Sequence, residues 1–211
     1  DHDHLVDQDH FLKCRLMDVF IGDWDRHEDQ WRWAGFKKGD ETIYRSVPRD
    51  RDQTFFLNEG IFPWMSSRKS AVRINQGFDY EINDMAGLVS QGRWLDRRFL
   101  NELTLDDWLE TASIMQTQLS DEVIEAAVYD MPEQIAEMKG ATIISKLKVR
   151  RDKLQEFATT YYSIISSEVD IVGSDKSERF QVERLNDEET KVTVYTLNKK
   201  GKKKEKYYQR T

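Results

Sequence analysis

The chain has 211 residues, 34% of them charged and 38% apolar, with 24 aromatic side chains including six Trp. That balance excludes a disordered chain, and the length suffices for one sizeable core, or for a core plus a small appendage. A net charge of −7 and a pI near 5.3 argue against a dedicated nucleic-acid binder, although metal ions can still bridge an acidic protein to a polyphosphate.

The lone Cys14 can form no disulfide within the chain and reads as a small buried apolar residue. No apolar run approaches the roughly 20 residues that span a membrane. The opening DHDHLVDQDH is not a signal peptide and has no initiator Met, so the chain reads as a piece of a longer protein. His2, His4 and His10 with Asp1, Asp3 and Asp9 suggest a metal cluster at first sight, but a frayed polar start is the better expectation.

Residues 5–21 carry Leu5, Phe11, Leu12, Leu16, Val19 and Phe20 at helical spacing, and Gly22 ends the predicted helix. Residues 31–48 read as two short strands, WRWAGF and TIYRSV, around a Gly-containing turn, closed by Pro48. Residues 49–60 read as a loop. The segment IFPWM at 61–65 is a candidate core plug, and 68–92 is expected to wind over the surface. WLDRRFLNEL (94–103) suits a helix.

Thr104 caps a helix with acidic residues in its first turn, Ser120 starts another, and Pro132 lies in the first turn of a third. A long amphipathic helix is expected from about Gly140 to Val169. Beyond it, VDIVG, RFQVERL, KVTVYTL and EKYYQR alternate with period two and predict a small antiparallel meander, with KKGKKK as a solvated hairpin tip. The expected division is 1–169, mostly helical, and 170–211, the meander, which reads as a subdomain or as the first strands of a downstream domain.

Two segments concentrate the chemistry. GDWDRHEDQW (22–31) packs acids, Arg26 and His27 into one turn after an apolar helix, a place where a rigid scaffold presents functional carboxylates. PRDRDQTFF (48–56) supplies Asp50 and Asp52 just after the second strand. A hairpin between them brings Asp25 toward Asp50 and Asp52. Carboxylates gathered in this way need a cation, and oxygen ligation favours Mg²⁺ or Mn²⁺. The plain alternatives are a helix-capping or Arg26-paired Asp25, salt bridges from Asp50 and Asp52 to Arg49 or Arg51, a His27 that holds the loop by hydrogen bonds, and an Arg26 that buttresses an aspartate. Trp24, Trp31, Trp33 and Trp64 read as core, because no basic groove accompanies them.

The order helix, D-R-H loop, hairpin, then D-x-D with a following aromatic resembles the active centre of atypical kinases of the HipA, CotH and secretory-pathway types. The resemblance covers residues 5–56 by motif and implies a mainly α, α+β fold: an atypical protein-kinase-like C-lobe with a β-hairpin near the site. It implies that Asp25 orients or deprotonates the acceptor and that Arg26 and His27 stand at the cofactor. Gln30, Asp50 and Asp52 would then hold Mg²⁺ or Mn²⁺ with ATP.

At greater length, RLMDVFIGDWDRHEDQWRW, VPRDRDQTFF, LDRRFLNEL and VDIVGSDKSERFQVERLNDEETKVTVY resemble a central region of bacterial outer-membrane-associated proteins. There the region lies between a calcineurin-like metallophosphoesterase domain and a surface-antigen-type β-barrel. That likeness implies an extracytoplasmic, periplasmic or outer-membrane-associated location. The partners it implies are those domains of the same polypeptide, with no nucleic acid and no direct membrane insertion by this segment.

The sequence departs from the kinase pattern in four respects. Asp23 replaces the usual Asn, Gln30 is one methylene longer than the usual Asn, and neither a Gly-rich phosphate loop nor a V-A-I-K strand is present. Without an N-lobe the expected turnover is little or none, and a non-catalytic extracytoplasmic scaffold is the alternative reading. Asp50 to Thr54 also satisfies the D-x-D-x-T of haloacid-dehalogenase-type phosphatases, but TIYRSVPR is too polar for the buried strand that fold requires.

Overall fold

The computed structural model describes residues 4–57 and 76–211, which form a mixed α+β fold of seven helices and two three-stranded sheets. The predicted hairpin is present as β2 (Trp31–Lys38) and β3 (Glu41–Pro48), antiparallel from Trp31↔Pro48 to Lys38↔Glu41. A third strand, β1 (His4–Val6), pairs parallel to β3, from His4↔Thr42 to Val6↔Tyr44. The helical spacing predicts Leu5 and Val6 inside the helix, and the polar opening predicts a frayed His4. The correction has a local cause. Asp7 is the helix N-cap: its carboxylate accepts from the His10 N–H at 3.1 Å while its own N–H donates to Tyr44 O at 2.9 Å. The helix starts only after Asp7, and the apolar Leu5 and Val6 extend along β3 instead. Asp1, His2, Asp3 and the segment 61–65, with Trp64, lie outside the described residues.

Helix α1 (Gln8–Ile21) buries Phe11, Leu12, Leu16, Val19 and Phe20, each at 3% exposure or less. Burying one such side chain contributes about 1.5–3 kcal/mol, so this helix anchors the core. Gly22 ends it in the left-handed region (φ 75°), and a Cβ there would meet the Phe78 ring at 2.9 Å. Both facts call for glycine.

Short helix α2 (Met85–Leu88) interrupts the segment expected to wander, and α3 (Arg93–Phe99) occupies the first part of the expected 94–103 helix. Helix α4 (Leu105–Gln118) begins at Thr104 with a full capping box to Asp107, and α5 (Asp121–Tyr129) begins at Ser120. The long helix expected from Gly140 is two helices, α6 (Glu133–Asp152) and α7 (Leu154–Ser166), broken at Lys153. Gly140 is no boundary: it is buried inside α6, where a Cβ would be 3.6 Å from Val128 of α5. The break allows the two helices different partners. Helix α6 lies on α5, while α7 sets Tyr161 edge-on to Trp108 of α4, with ring centroids 5.0 Å apart.

The meander is formed by β4 (Glu178–Arg184), β5 (Thr190–Leu197) and β6 (Lys203–Arg210) in that order, all antiparallel. VDIVG (169–173) is not a strand. Asn101 Nδ2 donates to Asp170 O at 2.7 Å, so that backbone is committed to the helical body instead of to a sheet. Arg210 of β6 donates to Asn101 O from the other side. Among the described residues no helix is long and apolar enough to cross a membrane.

Candidate functional site

The two segments singled out by sequence share one floor, made from charges on the buried side of α1. Arg15 and Asp18 face the interior, each 1% exposed. Arg15 donates to Asp96 of α3 at 2.8 and 3.1 Å, to Tyr161 Oη at 3.1 Å and to Asp18 at 2.9 Å. Asp18 also lies within ion-pair distance of Arg26 Nε at 3.1 Å and Arg51 Nη2 at 3.0 Å, one guanidinium from each turn, although neither Arg26 Nε nor Asp18 Oδ1 has a hydrogen-bond partner among the described residues. Arg26 pairs with Asp23 as well and donates to the carbonyl of Arg49. Arg15, Arg26 and Arg51 thus face Asp18, Asp23 and Asp96 in equal number. Charge balance is what offsets the burial of such a set, here only partly supported by hydrogen bonds, since Asp18 Oδ1, Asp23 Oδ1 and Arg26 Nε have no hydrogen-bond partner among the described residues and the Arg51 side chain is 30% exposed. Burial pushes the carboxyls of Asp18, Asp23 and Asp96 up, and the guanidiniums on them push back.

Gly92 shows how tightly this floor is built: a Cβ there would sit 2.4 Å from Arg15 Nη2 and 3.0 Å from Asp96 Oδ2. The C-terminus of α1 is closed from the opposite side by Arg150 of α6, which donates to Val19 O at 2.6 Å, Phe20 O at 2.8 Å and Asp79 O at 2.7 Å. Burial pushes the Arg150 guanidinium down to about 10.

Above the floor stand the predicted site residues. Asp25 has a side chain 29% exposed, with His27 Nε2 at 4.0 Å from its Oδ1. His27 Nδ1 is 4.0 Å from Asp29, and His27 Nε2 meets Gln30 Nε2 at 3.4 Å. Residues Glu28–Gln30 form a single 3₁₀ turn before β2. Asp50 and Asp52 are exposed. Arg26 itself is fully buried, so its guanidinium is committed to the floor.

The turn carrying Asp50 and Asp52 is strained at both ends: Asp50 has φ 52° and Phe55 φ 57°. A non-glycine residue in that region is strained by on the order of 1–3 kcal/mol, with Asp at the low end of that cost and bulky Phe at the high end. The turn is held by Thr54, whose hydroxyl donates to Arg51 O at 2.9 Å, and by the Phe55 ring edge-on to Phe78 with centroids 5.0 Å apart.

The turns are therefore neighbours, as the hairpin predicts. Among the described residues, however, no three His, Cys, Asp or Glu side chains gather into a metal-sized cluster. An open groove of about 480 Å³ begins at His27 and Glu28 and continues along Gln91, Trp94 and Leu95, with Trp94 64% exposed. Of the predicted core tryptophans, Trp31 is buried, while Trp24 and Trp33 pack half-buried against the core.

Sequence reading missed Arg15, Asp18, Asp96 and Tyr161. A signal was present for the first two: an arginine and an aspartate three residues apart among the apolar positions of one helix must find partners inside. No family model matches the chain, and neither does any curated protein or solved structure.

Proposed function

We propose that this chain is the catalytic-loop half of an atypical kinase-like fold, binding a divalent ion and nucleotide phosphates when an N-lobe completes it. In this reading Asp25 orients or deprotonates the acceptor hydroxyl. Asp50 and Asp52, with the Gln30 amide, hold Mg²⁺ or Mn²⁺ shared with the phosphates. Arg26 acts as a positioning residue and His27 flanks Asp25. The carrying observation is that Arg26 and Arg51, one from each turn, meet on the single buried carboxylate of Asp18. That common anchor fixes the distance between the two turns while Asp25, Asp50 and Asp52 keep solvent access.

The donor set suits a hard ion. Mg²⁺ commonly takes only one or two carboxylates and completes its shell with phosphates and water, so no three-residue protein cluster is required. Such an ion would supply charge neutralisation to a transferring phosphoryl group, a reaction in which positioning and electrostatics do most of the work. The left-handed Asp50 supports the same assignment, since strained backbone persists where the surroundings enforce it, and functional turns are a common setting. The reading also takes the chain as one extracytoplasmic module of a longer outer-membrane-associated polypeptide, beside a phosphoesterase domain and a β-barrel.

The test is calorimetric titration of Mn²⁺, with and without ATP, into the chain and into its Asp50→Ala, Asp52→Ala and Asp25→Asn variants. The proposal expects a saturable heat that ATP strengthens. Losing Asp50 or Asp52 should weaken it at least tenfold, and Asp25→Asn should retain it. A flat trace with the wild-type chain, repeated on a protein extended to include an N-lobe, would leave the non-catalytic scaffold as the reading.

A further inference from the structure

The molecule is electrically lopsided. Residues 198–211 carry six lysines and one arginine against one glutamate, a net charge of +6, so the rest of the chain carries −13. These lysines occupy the turn between β5 and β6 and the first half of β6: Lys199, Lys200, Lys202, Lys203, Lys204 and Lys206, all exposed. None of the six forms an ion pair with a carboxylate among the described residues, in a chain that holds 39 acidic side chains. Two are held by neutral groups, Lys203 Nζ on Gln181 at 2.7 Å and Lys206 Nζ on Gln209 at 3.0 Å.

Lysines on a sheet edge commonly serve to block pairing with other chains. That role does not account for this set. Lys199, Lys200 and Lys202 lie in the turn beyond the ladder, which on the β6 side ends at Leu197↔Lys203. The opposite edge, β4, exposes Phe180 and Val182. The lysines also shape a surface: Lys176, Lys199 and Lys204, with Ser177 and Asn198, line an open concavity of about 260 Å³.

We infer that this hairpin end is a docking surface for an anionic lipid bilayer, with lipid phosphates lying over the lysine-lined concavity. The chemistry of the patch favours that partner over a nucleic acid. Lysine ammoniums are flexible, strongly hydrated point charges suited to a smeared plane of charge, and the tip carries none of the planar arginine forks that read a phosphate bidentately. The nearby ring, Tyr195, is covered by Lys203 Nζ at 3.9 Å from its centroid and offers no open stacking face. The −13 of the remaining chain is repelled by the same surface, so the molecule meets the bilayer tip first. Clusters of four to eight basic residues are the recognised scale for such attraction, which fades beyond a Debye length of about 10 Å at 0.1 M salt.

The experiment is co-sedimentation of the chain with vesicles of phosphatidylcholine alone and of phosphatidylcholine with one-third phosphatidylglycerol. It uses the wild type and the exposed-residue variant Lys199→Glu/Lys200→Glu/Lys202→Glu/Lys204→Glu, with circular dichroism confirming an unchanged fold. A single glutamate exchange on a second sample, Lys200→Glu, covers failure of the quadruple variant to fold. The expected result is binding to the anionic vesicles only, lost at about 1 M salt, weakened several-fold by Lys200→Glu and at least tenfold by the quadruple exchange. Equal binding to neutral vesicles, no binding to anionic vesicles at low salt, or an unaffected charge-reversed variant overturns the inference. So does tighter binding to a DNA duplex than to the vesicles, which reassigns the patch to nucleic acid. None of these outcomes depends on the metal titration described above.

Discussion

Arg15 and Asp96, 81 residues apart in the chain, form a two-pronged ion pair at 2.8 and 3.1 Å with Tyr161 Oη in contact with both partners. This joint fastens α3 and α7 to α1, and through Arg15 it also reaches Asp18, the carboxylate paired with one arginine from each of the two turns. Removing one partner strands the other in a buried site. Asp96→Ala is expected to cost about 3–5 kcal/mol and Tyr161→Phe about 1–2 kcal/mol in urea unfolding. The paired exchange Arg15→Met/Asp96→Leu should cost clearly less than the sum of Arg15→Met and Asp96→Leu made singly. A sum that is simply additive would mean the two groups do not interact.

Arg150 closes the end of α1 by donating to the carbonyls of Val19 and Phe20, and ties it to Asp79 O with a third bond. Arg150→Met keeps much of the bulk but removes all three donors. The expected loss is about 2–4 kcal/mol, with faster amide exchange in the last turn of α1 than elsewhere in that helix. Uniform acceleration across the helix would contradict a local capping role.

Asp50 holds a left-handed backbone (φ 52°) in the turn proposed to carry the metal. Asp50→Gly removes the steric cost and should raise stability by up to about 1 kcal/mol while weakening Mn²⁺ binding. Gaining stability while losing affinity separates a functional strain from an indifferent one. A variant that is both less stable and fully competent for Mn²⁺ would count against the assignment.

Glu102, beside the junction of helices and meander, has its carboxyl pushed up by burial, with a hydrogen bond from Gln8 only partly offsetting this. A carboxyl that holds its proton more tightly when folded than when unfolded favours the fold at low pH. Its contribution therefore falls as pH rises from the ordinary glutamate value of 4.5 through the raised one. Glu102→Gln should flatten that part of the stability-versus-pH curve and be more stable than wild type at neutral pH. Urea midpoints across this range decide the matter, and an unchanged slope refutes it.

Thr104 caps α4 through a reciprocal bond with Asp107. Thr104→Ala is expected to cost about 1 kcal/mol, and Thr104→Ser close to nothing, in thermal or urea unfolding.

The parts of the fold visible in the sequence are those governed by nearby chemistry. Gly22 after an apolar helix, Thr104 and Ser120 before helices, Gly39 between alternating runs and the period-two tail each carry a local signal, and each marks an element that is present. The elements misplaced are those decided by distant partners. Leu5 and Val6 are equally good helix or strand residues until β3 is there to pair with them. Lys153 is an unremarkable place to break a helix until α6 and α7 are seen to serve different neighbours. VDIVG alternates like a strand, but its backbone answers to Asn101.

The candidate site divides in the same way. Its candidate carboxylates, Asp25, Asp50 and Asp52, are legible from motif order, whereas the buried charges Arg15, Asp18 and Asp96 meet only in three dimensions and leave no contiguous pattern.

Asp18 ties both turns and its own helix to one carboxylate. A motion that spread the turns apart would isolate a charge where solvation is poor, at a cost of several kcal/mol. The base of the site therefore acts as a fixed anvil. In the kinase-like reading proposed above, accommodation of a ligand would fall to the side chains around that base, not to the base itself.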